Sequence, residues 1–157
     1  GHPAGSDFEL VGWSQGEVRH NLWYNDGASN DEASLNRRRL LFIVGLGLDL
    51  EYALRGVAAA TARDNYAVQM AKRAKRAALS IKALVDAGVT IPEVKALLKI
   101  AGSAKISLNN EAPLLAAADQ VSAQTKLVAE KYDGSEFAAV DAQLPTASAY
   151  KGKVYAP

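Results

Sequence analysis

The sequence predicts an all-α fold: an up-down four-helix bundle with an irregular N-terminal arm, a short C-terminal helix and an extended tail. Three observations carry this. Alanine is abundant after residue 52 while glycine and proline clusters are scarce there, and alanine loses no rotamer freedom when the chain coils. From Ser34 onward apolar residues recur at steps of three and four rather than alternating. Helix boundary signals then divide this region into pieces of bundle length. A chain of 157 residues suits one domain and hides enough surface for a core of its own. The expected divisions are residues 1–33 for the arm, 34–144 for the bundle and 145–157 for the tail.

The arm has turn formers at Gly5, Gly12, Gly16 and the Asn-Asp-Gly run 25–27, without a sustained apolar period, so it reads as irregular. It is not a typical disordered linker, because both tryptophans of the protein, Trp13 and Trp23, lie in it beside Phe8 and Tyr24; linkers are poor in such residues. No methionine opens the chain, so Gly1 reads as a processed terminus or a tag remnant.

The first long helix is expected to start at Ser34 or Asn36, either of which can accept from a first-turn amide. Leu40, Phe42, Ile43, Leu46, Leu50, Ala53, Leu54 and Val57 give it a wide apolar face. Gly45 and Gly47 each cost such a helix about 1 kcal/mol, which points to close approach by a neighbouring element. The run NRRRLLFIVGLGL, 36–48, resembles a twin-arginine export leader, but Asp49, Glu51 and Arg55 interrupt it well short of the roughly 20 residues of a span, so a buried core helix is expected instead.

A helix unbroken from 36 to 87 would reach about 78 Å, too long for one compact domain. A break is therefore expected at 61–65, with Asp64 or Asn65 capping a second helix that runs to about Ala87 and stops at Gly88. Thr90, Pro92 and Glu93 predict a capping box opening the third helix, which carries Ile91, Val94, Leu97, Leu98 and Ala101 on one face and weakens at 101–103. Asn110 is expected to cap the fourth, in which Leu114, Ala118, Val121, Thr125, Val128 and Tyr132 form a narrow seam suited to close packing. Gly134 ends it, a short helix begins at Ser135, and Pro145 closes that.

Net charge is +1, but unevenly distributed: −5 over residues 1–33, +7 over 34–82 and −1 over the remainder. Within the basic stretch, Lys72, Arg73, Lys75 and Arg76 stand among five consecutive positions. Placed on a helical wheel centred on Ala74, the residues Ala67, Met70, Ala71, Ala77, Ala78, Ile81 and Val85 share one face, with Arg73 and Lys75 about 100° to either side and Lys72 and Arg76 near 160°. The cations thus occupy the face the core does not use, and a solvated helix surface is the simplest reading. An acidic partner surface is the functional one. Nucleic acid is less favoured, since Tyr66 is the sole aromatic of this helix available to stack on bases.

Catalytic constellations are missing from the sequence. Cysteine is absent, which removes disulfides, thiolate metal sites and cysteine nucleophiles. His2 and His20 both lie in the arm, so no inward histidine or Glu-x-x-His serves a haem or di-iron site on the helices. No G-x-S-x-G turn occurs. Asp49 and Glu51 point to different faces; Glu51 and Arg55 have ion-pair spacing instead. No enzyme, metal or cofactor is expected.

The expected function is that of a non-catalytic accessory subunit docking onto a larger protein assembly, with Phe8, Trp13, Trp23 and Tyr24 as anchors because tryptophan and tyrosine dominate interface hot spots, and with Lys72, Arg73, Lys75 and Arg76 as a second, electrostatic contact. The alternative is an anion or nucleic-acid module using Arg37, Arg38, Arg39 and the 72–76 cations. A cysteine-free chain with an extended N-terminal segment ahead of four helices resembles, in architecture and without a shared motif, the Q-type extrinsic subunits on the lumenal side of photosystem II. That resemblance implies an accessory role on a membrane complex, and an organelle lumen or exported compartment as its place.

Overall fold

The computed structural model of the chain describes residues 8–16 and 31–152. Trp23, Tyr24 and both histidines lie outside them. Among the described residues all regular structure is helical: α1 (Leu10–Ser14), α2 (Leu35–Ala58), α3 (Asn65–Asp86), α4 (Pro92–Ser103), α5 (Glu111–Lys131), then two 3₁₀ segments, Ser135–Gln143 and Ala147–Ala149. Each of the four long helices packs on the next in the chain and α5 returns to α2, whose largest contact it makes, so the four close into a helical bundle.

Local chemistry sets most of the boundaries. Ser34 caps α2 by accepting from the Arg37 amide at 3.3 Å, and Asp64 caps α3 by accepting from Ala67 at 2.9 Å. α3 ends at Gly88, whose φ of +102° lets the Gly88 amide reach Val85 O at 3.1 Å and Val89 reach Leu84 O at 3.0 Å. This is the paired closing pattern of a left-handed stop, with Leu84 and Val89 both buried beneath it.

Two predicted caps do not form. Ile91 stands at the N-cap of α4 without a side-chain bond, and Pro92 opens the helix where no amide is needed. The Glu93 carboxylate, 3% exposed, instead accepts from Lys131 Nζ at 2.7 Å and from the Tyr132 hydroxyl at 2.9 Å. Asn110 does precede α5, but its amide nitrogen donates to Lys105 O at 2.7 Å, closing the α4–α5 loop.

The hydrogen bond from Lys131, above all, holds the Glu93 carboxyl below the usual carboxylate range. A depressed folded pKa stabilises the fold above the unfolded value, and that contribution is lost as pH falls through the folded value. Glu93→Gln keeps an acceptor for Tyr132 and removes the titration. Its denaturant midpoint should therefore lie below wild type at pH 7 and converge with it on acidification below about pH 4; parallel midpoints down to pH 2 would refute this linkage.

The core runs the length of α2. As predicted, its glycines mark close approaches: a Cβ on Gly47 would lie 2.2 Å from Thr125 Oγ1 of α5, and one on Gly45 would lie 2.7 Å from Leu10 Cβ of α1. The α5 seam Leu114, Ala118, Val121, Thr125 and Val128 is buried, and Thr125 donates its hydroxyl back to Val121 O at 2.9 Å, so no polar group is left unmet there. Glu51 pairs with Arg55 at 2.9 Å as its spacing predicts, and Arg55 reaches on to Asp119 of α5 at 2.7 Å. Among the described residues no helix is long and apolar enough to cross a membrane.

Beyond α5 the chain differs from the expected form in detail. The predicted short helix is a 3₁₀ segment that buries Phe137 and Val140, with the Phe137 and Tyr132 rings 5.4 Å apart. The tail carries a further 3₁₀ turn and is tied down: Lys151 donates its amide to Gly12 O at 3.0 Å, and Tyr150 bonds Arg38 at 3.1 Å and also Glu32. Burial, then the bond to Glu32, pushes the Tyr150 phenol up from its ordinary value.

Candidate functional site

The described part of the arm folds onto its own bundle. Glu9 caps α1 by accepting from Val11 at 3.0 Å and Gly12 at 2.6 Å, which offsets the poor intrinsic stability of so short a helix. Val11 enters the core, and Leu10 rests on Gly45 of α2. Gln15, fully buried, accepts from the Ala33 amide at 2.7 Å and donates to Ser14 Oγ at 3.1 Å, which joins the arm to the approach of α2. These residues are a satellite core.

The two predicted aromatic anchors among the described residues, Phe8 and Trp13, face the other way. Phe8 is 39% and Trp13 48% exposed, and Tyr52 on α2 is 62% exposed. Phe8 and Tyr52 share a shallow hollow of about 220 Å³ with Leu48, Asp49 and Arg73. An aromatic edge therefore stands outward on an arm whose backbone is pinned from beneath by Val11, Gln15 and the tail. Tyr52 escaped the sequence reading because it falls on the polar side of a helix judged by its apolar period. Only the docking of Phe8 beside it marks the position.

The basic residues divide into engaged and outward-facing groups. Arg39 makes a two-pronged pair with Asp141, Nε to Oδ1 and Nη2 to Oδ2 both at 2.6 Å, with Nη1 on Asn36 Oδ1 at 2.9 Å. That hydrogen bond holds Asp141 below the ordinary carboxylate range and binds the 3₁₀ segment to α2. Arg38 pairs with Glu32. Arg73 does not belong with the solvated cations: it turns to Asp49 of α2, its Nε 3.0 Å from Oδ1 and its Nη2 on the same oxygen. Four cations without a nearby acid were expected, but Asp49 lies on a different helix, and windowed reading does not see it. Arg76 is exposed.

Lys72 and Lys75 are exposed and, with Arg63 of the α2–α3 turn, border a groove of about 420 Å³ between the end of α2, the first half of α3 and the α4–α5 loop. The structure thus separates the 72–76 cluster: Arg73 serves the α2–α3 interface beside the arm, and the two lysines serve a different face. Among the described residues no group of three or more His, Asp or Glu side chains is placed to hold a metal ion.

No family model, curated protein or solved structure matches the chain.

Proposed function

We propose that the protein is a non-catalytic accessory subunit, a helical bundle that docks onto a larger protein assembly through the outer face of its N-terminal arm. The observation that supports this reading is the outward display of Phe8 and Trp13 on a segment fixed by its own buried residues. Large aromatics on a pre-ordered backbone bury much area on docking and lose little entropy in doing so. Tyr52 extends the face onto α2. The finer form of the proposal is an extrinsic subunit of a membrane-bound complex such as a photosystem, held by this face, with the resemblance of architecture as its support.

The competing anion-binding reading has weaker support, because Arg38, Arg39 and Arg73 are engaged with Glu32, Asp141 and Asp49. Phosphate contacts would have to break those pairs first.

The test is affinity capture from the native extract with the full chain. Phe8→Ser with Trp13→Ser should lose the partners the wild type retains, by tenfold or more if both are hot spots at about 1–2 kcal/mol or above. Lys72→Gln with Lys75→Gln should retain them. Gly45→Ala, which places a methyl against Leu10 and displaces the arm without touching either aromatic, should also lose them. Retention by the Ser pair at wild-type level would overturn the proposal.

A further inference from the structure

The groove beside Lys72 and Lys75 lies on a different face of α3 from the hollow shared by Phe8 and Arg73, and the accessory role leaves it unexplained. Val57, Val68, Ile106 and Leu108 contribute apolar lining, Ile106 standing 37% exposed in the α4–α5 loop. Among the described residues, Arg63, Lys72 and Lys75 are the charged side chains that border it, and no acidic one lines it. Asp64, the nearest acid in sequence, is turned to the Ala67 amide as the cap of α3. Unlike Arg73, which lies between Lys72 and Lys75 in sequence and turns to Asp49, the three cations have no ion-pair or hydrogen-bond partner among the described residues.

The groove therefore presents an apolar surface with a positive rim.

We propose that this groove binds a single-chain anionic amphiphile of the fatty-acid class, its chain along Val57, Val68, Ile106 and Leu108 and its carboxylate at the Lys72 and Lys75 ammonium groups with Arg63 beside them. Size and charge together select this class. A volume of about 420 Å³ falls within the range of about 300–1,000 Å³ typical of small-molecule sites. A neutral chain would leave the cations unanswered, and a short acidic peptide would leave the apolar lining wet. Lysine suits the role because its flexible stem can lie along apolar surface while the ammonium group stays at the rim.

The experiment is a titration of the isotope-labelled full chain with dodecanoate below its micellar concentration, followed by amide NMR. Shifts should concentrate at Val68, Ala71, Ile106 and Leu108 and saturate at one equivalent. Lys72→Gln with Lys75→Gln, both exposed and outside the core, should weaken binding about fivefold to tenfold, as expected of two surface charge contacts, with helicity unchanged. Ile106→Asp should weaken it at least as much. Dodecyltrimethylammonium, with the same chain and the opposite charge, should bind at least tenfold more weakly. Equal affinity for the two amphiphiles, no effect of the lysine substitutions, or shifts scattered over the surface without saturation would each overturn the assignment. These substitutions leave the arm intact, so partner capture through Phe8 and Trp13 stands or falls separately.

Discussion

Gly134→Ala should destabilise the protein by about 3 kcal/mol, lowering the melting temperature by roughly 10 °C in a chain of this size. Gly134 sits at φ +96° in the turn after α5, and a Cβ there would fall 1.9 Å from Asn36 O and 2.7 Å from Asn36 C. The left-handed conformation alone costs an alanine about 1–2 kcal/mol. The clash adds a further 1–3 kcal/mol, because the obstacle is backbone in the first turn of α2 and cannot rotate away. Relief requires the turn to lift, which would pull Phe137 and Val140 out of the core and stretch the Arg39–Asp141 pair. Gly88→Ala provides the control: its φ is +102°, yet nothing lies within 4 Å of the added methyl. It should lose only the conformational part, about 1 kcal/mol. Equal losses at the two sites, measured by urea unfolding, would show that the Asn36 contact is not a constraint.

The same turn illustrates what a linear reading recovers. Gly88 and Gly134 were legible as stops because their signal is local, a residue free to adopt positive φ where an apolar period ends. Gly45 and Gly47 were legible as close approaches for a similar reason: a helix carries two costly residues only where something presses against them. The wheel around Ala74 placed the centre of the core face of α3, since Ala67, Met70, Ala74, Ala77 and Ile81 are buried, but Ala71, Ala78 and Val85 are half-buried and Leu84, which it did not name, is fully buried.

What escaped were choices between a near partner and a distant one. Glu93 had Thr90 three residues away and a free amide to reach, yet its carboxylate bonds Lys131 and Tyr132, nearly forty positions on, because α4 packs against α5 and a nearly buried carboxylate gains more from an ammonium than from an amide. Asn110 likewise gave up its cap for the Lys105 carbonyl. The arm was read as irregular because α1 is too short to show a period, and its anchoring through Gln15 and Lys151 depends on contacts to α2 and the tail. For the candidate docking face, Phe8 and Trp13 were legible by residue type alone. Tyr52 was not, since its role depends on which side of α2 the arm covers.

Arg73→Met should cost about 2 kcal/mol, most of it from the carboxylate left behind. Asp49 is 9% exposed, and the Arg73 side chain, at 17%, is its cation across the α2–α3 interface. Removing one member of a fully buried pair costs about 3–5 kcal/mol because the other charge stays desolvated. Here the pair keeps some contact with water, which lowers the figure. Methionine preserves the apolar stem, so the loss reports charge and hydrogen bonding rather than packing. In the double variant Asp49→Leu, Arg73→Met, the stranded charge is gone, and much of the stability should return. A coupling of about 1–2 kcal/mol in the double-mutant cycle is expected. Strict additivity of the two single losses would mean that Arg73 is, after all, one more solvated cation. The consequence extends to the docking face, since Asp49 and Arg73 line the hollow shared by Phe8 and Tyr52. If the proposed docking is correct, Arg73→Met should weaken partner capture as well as the fold, and the double variant should restore the fold without restoring the charge pattern a partner meets.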